Sequence, residues 1–495
     1  MKILSLIIIF ASYMLVSTSS WIVRKFGEVT YEQLVFHSNI PLDTDARLIK
    51  SYFQNTFMVA IIVVLVFCYV LRKISLKKGF IASLVFSVFC LVYSFNVLNV
   101  KELLDEKNNH RKISTFYEMH YRDPLETKIT SPQIKKNLIL IFSESMETTY
   151  ASKEYNGDNL IPELSEIAKD NINFSHNDEL GGFYNLKVAG YTQASLIAQL
   201  CAVPLRLPID SARYRPKNGF LPGATCLYDV LKKDDYNLSF MYGTLKESSG
   251  TDKFFATHGN PKILDWNFYT KRDNLVENKV EKKAAKYNSF FKKALRDEAL
   301  FTYAKEELNE LNKENKPFAF IIMTLDTHFG TEYFDAKNCE TKYHDKDVPD
   351  NFNYKNVVSC SSSKIANFIN YLKAQPFYDN TEIVIVGDHL TMGNNIFEKG
   401  ADRAIYNVYM NPSHDMPSKI KNRKFTALDT MPTILESLGY EIDGGKLGLG
   451  TSLFSGKQTL LEEGMTVEEL NYELEKQSHV YNKILYGKDV EASKK

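Results

Sequence analysis

The stretch "NLILIFSESMETTY", residues 137–150, decides the fold class. Its first six residues form a continuous apolar run, which is typical of a strand covered on both faces of a parallel sheet. Similar runs occur at 318–325 ("FAFIIMTL") and 381–387 ("TEIVIVG"). Amphipathic segments predict helices at 161–172, 298–314 and 361–375, the last opened by serines suited to capping. Strands that alternate with helices predict an α/β domain around a mostly parallel sheet.

Acidic and histidine side chains follow the three apolar runs. Glu144 follows the first run, Asp326 and His328 follow the second, and Asp388 and His389 follow the third. Ligands of parallel sheets gather beyond the carboxyl ends of the strands, so these side chains are expected at one edge. The carboxylate and imidazole groups of Glu144, Asp388 and His389 form a suitable shell for Zn²⁺ or Mn²⁺.

Two hydroxyl side chains lie in "VAGYTQASLIAQLC", residues 188–201. Thr192 and Ser195 precede or open an apolar helical run, where either could cap the helix. A hydroxyl beside a dication has a lowered pKa and is placed for attack on phosphorus, and a helix N-terminus favours the phosphoryl anion. Capping and catalysis are therefore compatible roles for Thr192.

His328 and His258, the latter in "FFATHGN", are further candidates for the site. Either could bind the charge of a phosphate or protonate a leaving oxygen. The alternative for each is a structural histidine whose ring nitrogens are satisfied within the fold.

Three apolar runs near the N-terminus, 3–23, 53–71 and 80–98, are long enough to span a bilayer. The loop "RKISLKK", residues 72–78, carries four cations and should remain cytoplasmic, which places everything after about residue 100 outside. The alternatives are that the first run is a cleaved signal peptide, or that one run lies in the membrane interface and does not span the bilayer. The expected division is a transmembrane domain (1–100), a juxtamembrane helix and linker (101–136), a catalytic domain (137–459) and a helical tail (460–495).

The charge balance bears on the kind of partner, and the cysteine content bears on the cellular compartment. The chain has 60 basic and 60 acidic side chains, so no net field argues for a nucleic-acid partner. Four cysteines lie outside the apolar runs, an even number that suits an oxidising environment. The expected pairs are Cys201 with Cys226 and Cys339 with Cys360, and four buried thiols are the alternative.

Several of these motifs together resemble the sulfatase/alkaline-phosphatase superfamily. They are "NLILIFSESMETTY", "YTQASLIAQLCAVPL", "TLDTHFG", "IVIVGDHLTMGNN" and "ALDTMPTILESLGY", in that order along the chain. Within the superfamily the chain most resembles the membrane-bound phosphoglycerol transferases of periplasmic glucans, relatives of lipoteichoic acid synthase and the phosphoethanolamine transferases. The resemblance implies an alkaline-phosphatase-like domain on the periplasmic side of a bacterial inner membrane.

The resemblance also implies roles for individual residues. Glu144, Asp388, His389 and Thr192 would bind the metal, and Thr192 would be the nucleophile. His328 would contact the substrate phosphate or the leaving group.

Three further positions bear on the resemblance. His258 would assist at the substrate, whereas Asp429, in "LDTMPT", is interpreted as structural. The segment "NLKVAGY" replaces the Gly-Thr and tryptophan-containing lead that the subfamily usually has before its nucleophile. This departure bears on donor and acceptor specificity.

The function implied is metal-dependent transfer of a head group from phosphatidylglycerol to a periplasmic or cell-surface glycan through a phospho-threonine. The alternative is a phosphoethanolamine transferase acting on lipopolysaccharide. A hydrolase of the sulfatase type is disfavoured, since "CAVPLR" places Cys201 one residue too far from Pro204 for a sulfatase motif. The non-enzyme alternative is a membrane-anchored protein that binds glycan.

Overall fold

The computed structural model describes residues 2–26, 29–31, 34, 50–206, 219–247, 250–273, 275, 293–328, 333, 338–346, 350, 353–392, 397 and 401–487. The chain forms two compact units. Residues 1–109, with two short later segments, make up the first unit, and most of the remaining chain makes up the second.

The first unit is helical. Its helices are α1 (Lys2–Phe26), α2 (Met58–Lys73), α3 (Leu76–Val97) and α4 (Val100–Asn109). Three stretches, Lys2–Arg24, Lys50–Lys73 and Leu76–Val97, are long and apolar enough to cross a membrane. A helix that is apolar around its whole circumference suits a lipid environment. These stretches correspond to the three predicted spans.

The second unit is built on a six-stranded sheet. Its strands are β1 (Asn137–Ser143), β2 (Asn237–Tyr242), β3 (Lys262–Leu264), β4 (Phe318–Met323), β5 (Thr381–Gly387) and β6 (Asn407–Met410). The strand order is β3-β2-β4-β1-β5-β6, and only β6 runs antiparallel to its neighbour. The structure confirms the predicted α/β class and the mostly parallel sheet.

The second unit also contains helices, several of which pack against the sheet. They are α5 (Phe116–His120), α6 (Lys153–Asn156), α7 (Pro162–Asp170), α8 (Thr192–Cys201), α9 (Leu227–Lys233), α10 (Thr251–Thr257), α11 (Trp266–Asp273), α12 (Asp297–Lys313), α13 (Tyr354–Lys373), α14 (Thr430–Ser437), α15 (Val467–Leu474) and α16 (His479–Tyr486). Ile139 and Ile141 of β1 belong to the core packed under α7, α12 and α13. Two short antiparallel pairs, Ile129–Thr130 with Glu441–Ile442 and Lys446–Leu447 with Gly450–Thr451, lie outside the main sheet.

Strand register places the polar loops side by side. Phe142 of β1 pairs with Met323 of β4, and Ser143 pairs with Gly387 of β5. The chain therefore leaves β1, β4 and β5 at the same level of the sheet. This is the edge at which the acidic and histidine side chains were expected.

The start of helix α13 differs from the prediction. The helix begins at Tyr354, seven residues before the serines at 361–363, because the side chain of Asn353 accepts the N–H of Lys355 and caps it. Ser362 lies within the helix and donates to Glu163 Oε2 at 2.7 Å. Ser362 therefore links α13 to α7 and does not cap the helix.

Both predicted disulfides are present. Cys201 is bonded to Cys226, and Cys339 is bonded to Cys360. Each bridge fixes one end of a loop to a helix, α8 in the first case and α13 in the second.

Candidate metal and nucleophile site

Three buried side chains converge at the carboxyl edge of the sheet. Glu144 follows β1, and Asp388 and His389 follow β5. His389 Nε2 lies 3.6 Å from Glu144 Oε1 and 3.3 Å from Asp388 Oδ2. One ligand atom from each residue falls within 4.8 Å of the other two, which is the spacing that a single metal ion requires.

Thr192 is the first residue of helix α8 and faces this cluster. Its Oγ1 lies 3.2 Å from His389 Nε2. The residue that precedes the helix is Tyr191, whose side chain makes no capping hydrogen bond. The hydroxyl of Thr192 is thus directed to the carboxylate and imidazole cluster, at the helix end that favours an anion.

Helix α8 is tied directly to the loop after β5. Ser195 Oγ donates to the main-chain carbonyl of Asp388. Gln199 Nε2 donates at 3.0 Å to the carbonyl of Gly387 and at 3.0 Å to Ser195 Oγ. Ser195 therefore holds Thr192 in place relative to its neighbours in the cluster, a structural role that agrees with the sequence-based interpretation.

The two oxygens of Asp388 have different surroundings. Oδ1 accepts the N–H groups of Ser145 at 2.7 Å and of His389 at 2.8 Å. Oδ2 is buried and has no hydrogen-bond partner among the described residues. A buried carboxylate oxygen without a donor is costly, and a bound cation would satisfy it. The unpartnered Oδ2 atom of Asp388 is the feature of the site that best supports a bound metal ion.

The ring of His389 is oriented by the main chain. Its Nδ1 lies 2.8 Å from the carbonyl of Leu390. Because a carbonyl only accepts, the proton is assigned to Nδ1, which leaves Nε2 of the neutral ring to face Glu144, Asp388 and Thr192. A metal-ligating histidine commonly donates its other nitrogen in this way.

Burial and charge repulsion shift the pKa values of the two carboxyl groups. Burial raises the pKa of Glu144, and burial together with the charge of Glu144 raises the pKa of Asp388 to about 7. Burial opposes a charge on His389, but the two carboxylates outweigh burial and raise its pKa. Two adjacent buried carboxylates are stabilised by a dication, so the oxygen, oxygen and nitrogen donor set fits Zn²⁺ or Mn²⁺.

A buried ion pair missed from the sequence supports the loop after His389. Glu147 accepts two hydrogen bonds from the guanidinium of Arg403, at 2.6 and 2.8 Å, and one from the N–H of Thr391 at 3.1 Å. The acid stands in the quoted "SESMETTY", three residues after Glu144. Its partner is 256 residues away, so no local pattern pointed to the pair.

The residue before His328 is hydrogen-bonded to the loop of Glu144, whereas the Asp326 side chain does not join the cluster. His328 is half-buried and follows Thr327, whose hydroxyl donates to the carbonyl of Glu144 at 2.5 Å. Asp326 instead forms ion pairs with Lys364 at 3.0 Å and Arg296 at 3.1 Å. The Asp326 carboxylate holds the turn that presents His328.

The structure does not bring His258 into the site. Its Nδ1 lies 2.7 Å from Asp229 Oδ2, and its Nε2 lies 2.9 Å from the carbonyl of Phe220. Asp229 also accepts the N–H of Cys226 at the start of α9. Both ring nitrogens are engaged, so the expected contact with substrate is replaced by a structural role. The nearby sulfur of Cys226 cannot act as a thiolate ligand, because it is bonded to Cys201.

Asp429 is a structural residue, as interpreted from the sequence. Its Oδ2 accepts the N–H of Thr426 at 2.8 Å, and its Oδ1 accepts the N–H of Thr451 at 2.8 Å. The side chain caps the turn before α14 and joins it to a distant strand.

Known proteins resemble the larger part of this chain. The sulfatase family model matches residues 136–440. Phosphoglycerol transferase I of Escherichia fergusonii is 30% identical over 71% of this chain and 43% of its own length, and that of Shigella flexneri is 30% identical over 73% and 44%. The chain therefore spans less than half the length of these curated relatives.

A solved structure shares the fold. The lipoteichoic acid synthase LtaP of Listeria monocytogenes superposes with a TM-score of 0.50 at 18% identity, over 70% of this chain and 81% of the other. At this identity the likeness shows the fold alone.

Proposed function

The chain belongs to the sulfatase family, and on that premise we propose that it transfers phosphoglycerol from phosphatidylglycerol to a periplasmic or cell-surface glycan. The observation that carries the proposal is the 3.2 Å distance between Thr192 Oγ1 and His389 Nε2, beside two buried carboxylates. The curated relatives named phosphoglycerol transferase I support the head group.

Glu144, Asp388, His389 and Thr192 are the proposed metal-binding residues, with Zn²⁺ or Mn²⁺ as the ion. Such an ion, when bound, lowers the pKa of a hydroxyl and neutralises phosphoryl charge. The residues themselves supply the orientation, since Ser195 fixes α8 against the loop that carries Asp388. The first turn of α8 offers main-chain N–H groups to the transferred phosphoryl group.

Thr192 acts as the nucleophile in the first half-reaction. Its Oγ1 releases its proton to solvent and bonds to the phosphorus of phosphatidylglycerol, while the bond from phosphorus to the diacylglycerol oxygen breaks. That oxygen takes a proton, for which the half-buried His328 is the proposed donor. Diacylglycerol leaves, and phosphoglycerol remains on Thr192.

A glycan hydroxyl completes the transfer. The hydroxyl loses its proton and bonds to phosphorus, the bond from phosphorus to Thr192 Oγ1 breaks, and the threonine oxygen regains a proton. His328, now neutral, is the proposed acceptor of the glycan proton, because the same group must act in reverse in the second step.

The helical N-terminal unit fits a lipid donor. Three stretches can cross a membrane, and the loop of four cations at 72–78 favours a cytoplasmic position for that loop. The sheet-containing unit then lies outside the inner membrane, where its two disulfides are stable. A membrane-spanning anchor keeps the protein in the bilayer that contains the donor.

The test uses the full-length protein in nanodiscs with labelled phosphatidylglycerol or phosphatidylethanolamine. The metal is removed with a chelator and Zn²⁺ or Mn²⁺ is restored, and diacylglycerol and modified Thr192 peptide are measured. Phosphatidylglycerol should give metal-dependent diacylglycerol and a phosphoglycerol adduct that Thr192→Ala abolishes. Thr192→Ser is the matched variant that retains a hydroxyl.

Other outcomes select the alternatives. Diacylglycerol from phosphatidylethanolamine alone would assign the protein as a phosphoethanolamine transferase acting on lipopolysaccharide or glycan. Transfer to water in the presence of glycan would indicate a hydrolase. Glycan binding without turnover of either lipid would indicate a membrane-anchored binding protein and overturn the transferase proposal.

A further inference from the structure

Tyr354, the first residue of helix α13, places its hydroxyl between three loops of the site. The hydroxyl oxygen lies 3.0 Å from the hydroxyl of Tyr150, 3.0 Å from the carbonyl of Thr327 and 3.1 Å from Thr391 Oγ1. Because a carbonyl only accepts, the single proton of the Tyr354 hydroxyl is assigned to Thr327, and the hydroxyls of Tyr150 and Thr391 can donate to the Tyr354 oxygen. One side chain thus joins the segments that follow β1, β4 and β5.

Two of these partners, Thr327 and Thr391, are close in the chain to the proposed reacting residues. Thr327 precedes His328, and its own hydroxyl donates to the carbonyl of Glu144. Thr391 is two residues after His389, and its N–H donates to the buried Glu147. A displacement of the Tyr354 hydroxyl would therefore move His328 relative to His389.

Helix α13 holds the turn before His328 at a second point. Lys364 lies ten residues after Tyr354 and is buried, with its Nζ 3.0 Å from Asp326 Oδ2. Asp297 Oδ1 accepts the N–H groups of Leu325 at 2.7 Å and of Asp326 at 3.2 Å. The main chain of this turn is thereby anchored to α12, and the side chain of Asp326 is anchored to α13. The hydroxyl of Tyr354 links the same turn to the loop of Asp388 and His389.

We propose that Tyr354 is a positioning residue that sets the distance between His328 and the cluster of Glu144, Asp388 and His389. The inference rests on the proposed phosphoryl transfer, because it assigns His328 a task at the leaving oxygen. Tyr354 acts through Thr327 and Thr391 rather than on the substrate. A misplacement of about 1 Å in such a group can lower the rate by about 100-fold.

The test compares the wild type with Tyr354→Phe and with Tyr343→Phe as the matched control. Phenylalanine keeps the ring beside Tyr150, at a centroid distance of 6.1 Å, and removes only the hydroxyl. The hydroxyl of Tyr343 donates to the exposed Asp158 at 3.1 Å, so the control loses a tyrosine hydroxyl outside the network.

Two measurements are made on all three proteins in nanodiscs. The first is kcat and KM for diacylglycerol release, and the second is amide hydrogen exchange of peptides covering 325–328 and 388–391 in the metal-free protein. Tyr354→Phe should lower kcat about 10- to 100-fold, leave the donor KM within about twofold, and speed exchange in both peptides. Tyr343→Phe should match the wild type in each measurement.

The results separate the two proposals. Unchanged exchange in both peptides of Tyr354→Phe overturns the positioning role, whatever happens to the rate. Faster exchange with an unchanged kcat overturns it as well, since the loops would then move without consequence for transfer. If the wild type releases no diacylglycerol, the proposed function fails, while the exchange comparison still decides whether Tyr354 fixes the two loops.

Discussion

The hydroxyl of Ser195 donates a hydrogen bond to the main-chain carbonyl of Asp388. The two residues are 193 positions apart, and the bond joins the helix of the proposed nucleophile to the loop of two proposed metal ligands. The geometry of Thr192 relative to His389 therefore depends on a side chain outside the proposed set of metal ligands.

Replacement of Ser195 by alanine tests this tie. Ser195→Ala removes a buried hydrogen bond, so the free energy of unfolding should fall by about 1 kcal/mol, and kcat should fall about tenfold as α8 shifts. Urea unfolding and diacylglycerol release measure the two effects. Thr302→Ala, which removes an exposed hydroxyl bonded within its own helix, is the control. A loss of stability with kcat intact would show that the bond does not position Thr192.

Replacement of Asp388 by asparagine tests the metal site. The amide oxygen of Asp388→Asn can still accept the N–H groups of Ser145 and His389. The position of the unpartnered Oδ2, however, becomes an uncharged amide nitrogen. Zn²⁺ or Mn²⁺ at about 100 times its Kd should stabilise the wild type by about 2.7 kcal/mol and the variant much less. Without metal the variant should be at least as stable as the wild type, because a buried charge is gone. Equal stabilisation of both proteins by metal would contradict the assignment of Asp388.

The two histidines singled out in the sequence should behave differently. His258→Ala leaves Asp229 without its imidazole partner and should lower the free energy of unfolding by about 1–3 kcal/mol, with little change in kcat of the folded enzyme. His328→Ala should lower kcat at nearly unchanged stability. Thermal unfolding and initial rates on matched folded fractions measure both. A strong kcat defect in His258→Ala would restore its role at the substrate.

A buried glutamate at the opposite end of strand β5 should make stability depend on pH. Burial raises the pKa of Glu382 to about 8, whereas Ser437 and Lys136 oppose this rise only partly. The native state keeps this proton between about pH 4.5 and 8 while the unfolded chain loses it. The contribution of protonated Glu382 to the free energy of unfolding is therefore full below about pH 4.5. This contribution is lost as the pH rises towards and past 8.

Glu382→Gln should remove this dependence. At about 1.4 kcal/mol for each pKa unit of difference, the variant should gain several kcal/mol over the wild type at pH 9 and little at pH 4.5. Chemical unfolding of both proteins at these two pH values is the measurement. A difference that is the same at both pH values would mean that Glu382 does not titrate in this window.

Local patterns predicted the elements that carry the site. The apolar runs at 137–142 and 381–387 became strands β1 and β5 within a residue of their predicted ends, because a side chain buried on both faces must be apolar. The parallel arrangement then brought Glu144, Asp388 and His389 to one edge. The sequence also predicted both disulfides, whose partners are 25 and 21 residues apart.

One helix boundary and the role of one histidine were not predicted correctly from the sequence. The helix start at Tyr354 was set by Asn353, and the serines that suggested a later start lie within the helix. The local sequence does not distinguish the role of His258 from that of His328. The structural role of His258 follows from its contact with Asp229 in the folded chain.

The sequence by itself determined the α/β class, the membrane-spanning stretches and the residue types at the edge of the sheet, because strand burial, span length and chain order are local properties. The tertiary structure alone decided that Ser195 ties helix α8 to the carbonyl of Asp388, and that Tyr354 joins the three loops. Those outcomes depend on hydrogen bonds between residues that are dozens to hundreds of positions apart, and their geometry exists only once the sheet register and the helix packing are fixed.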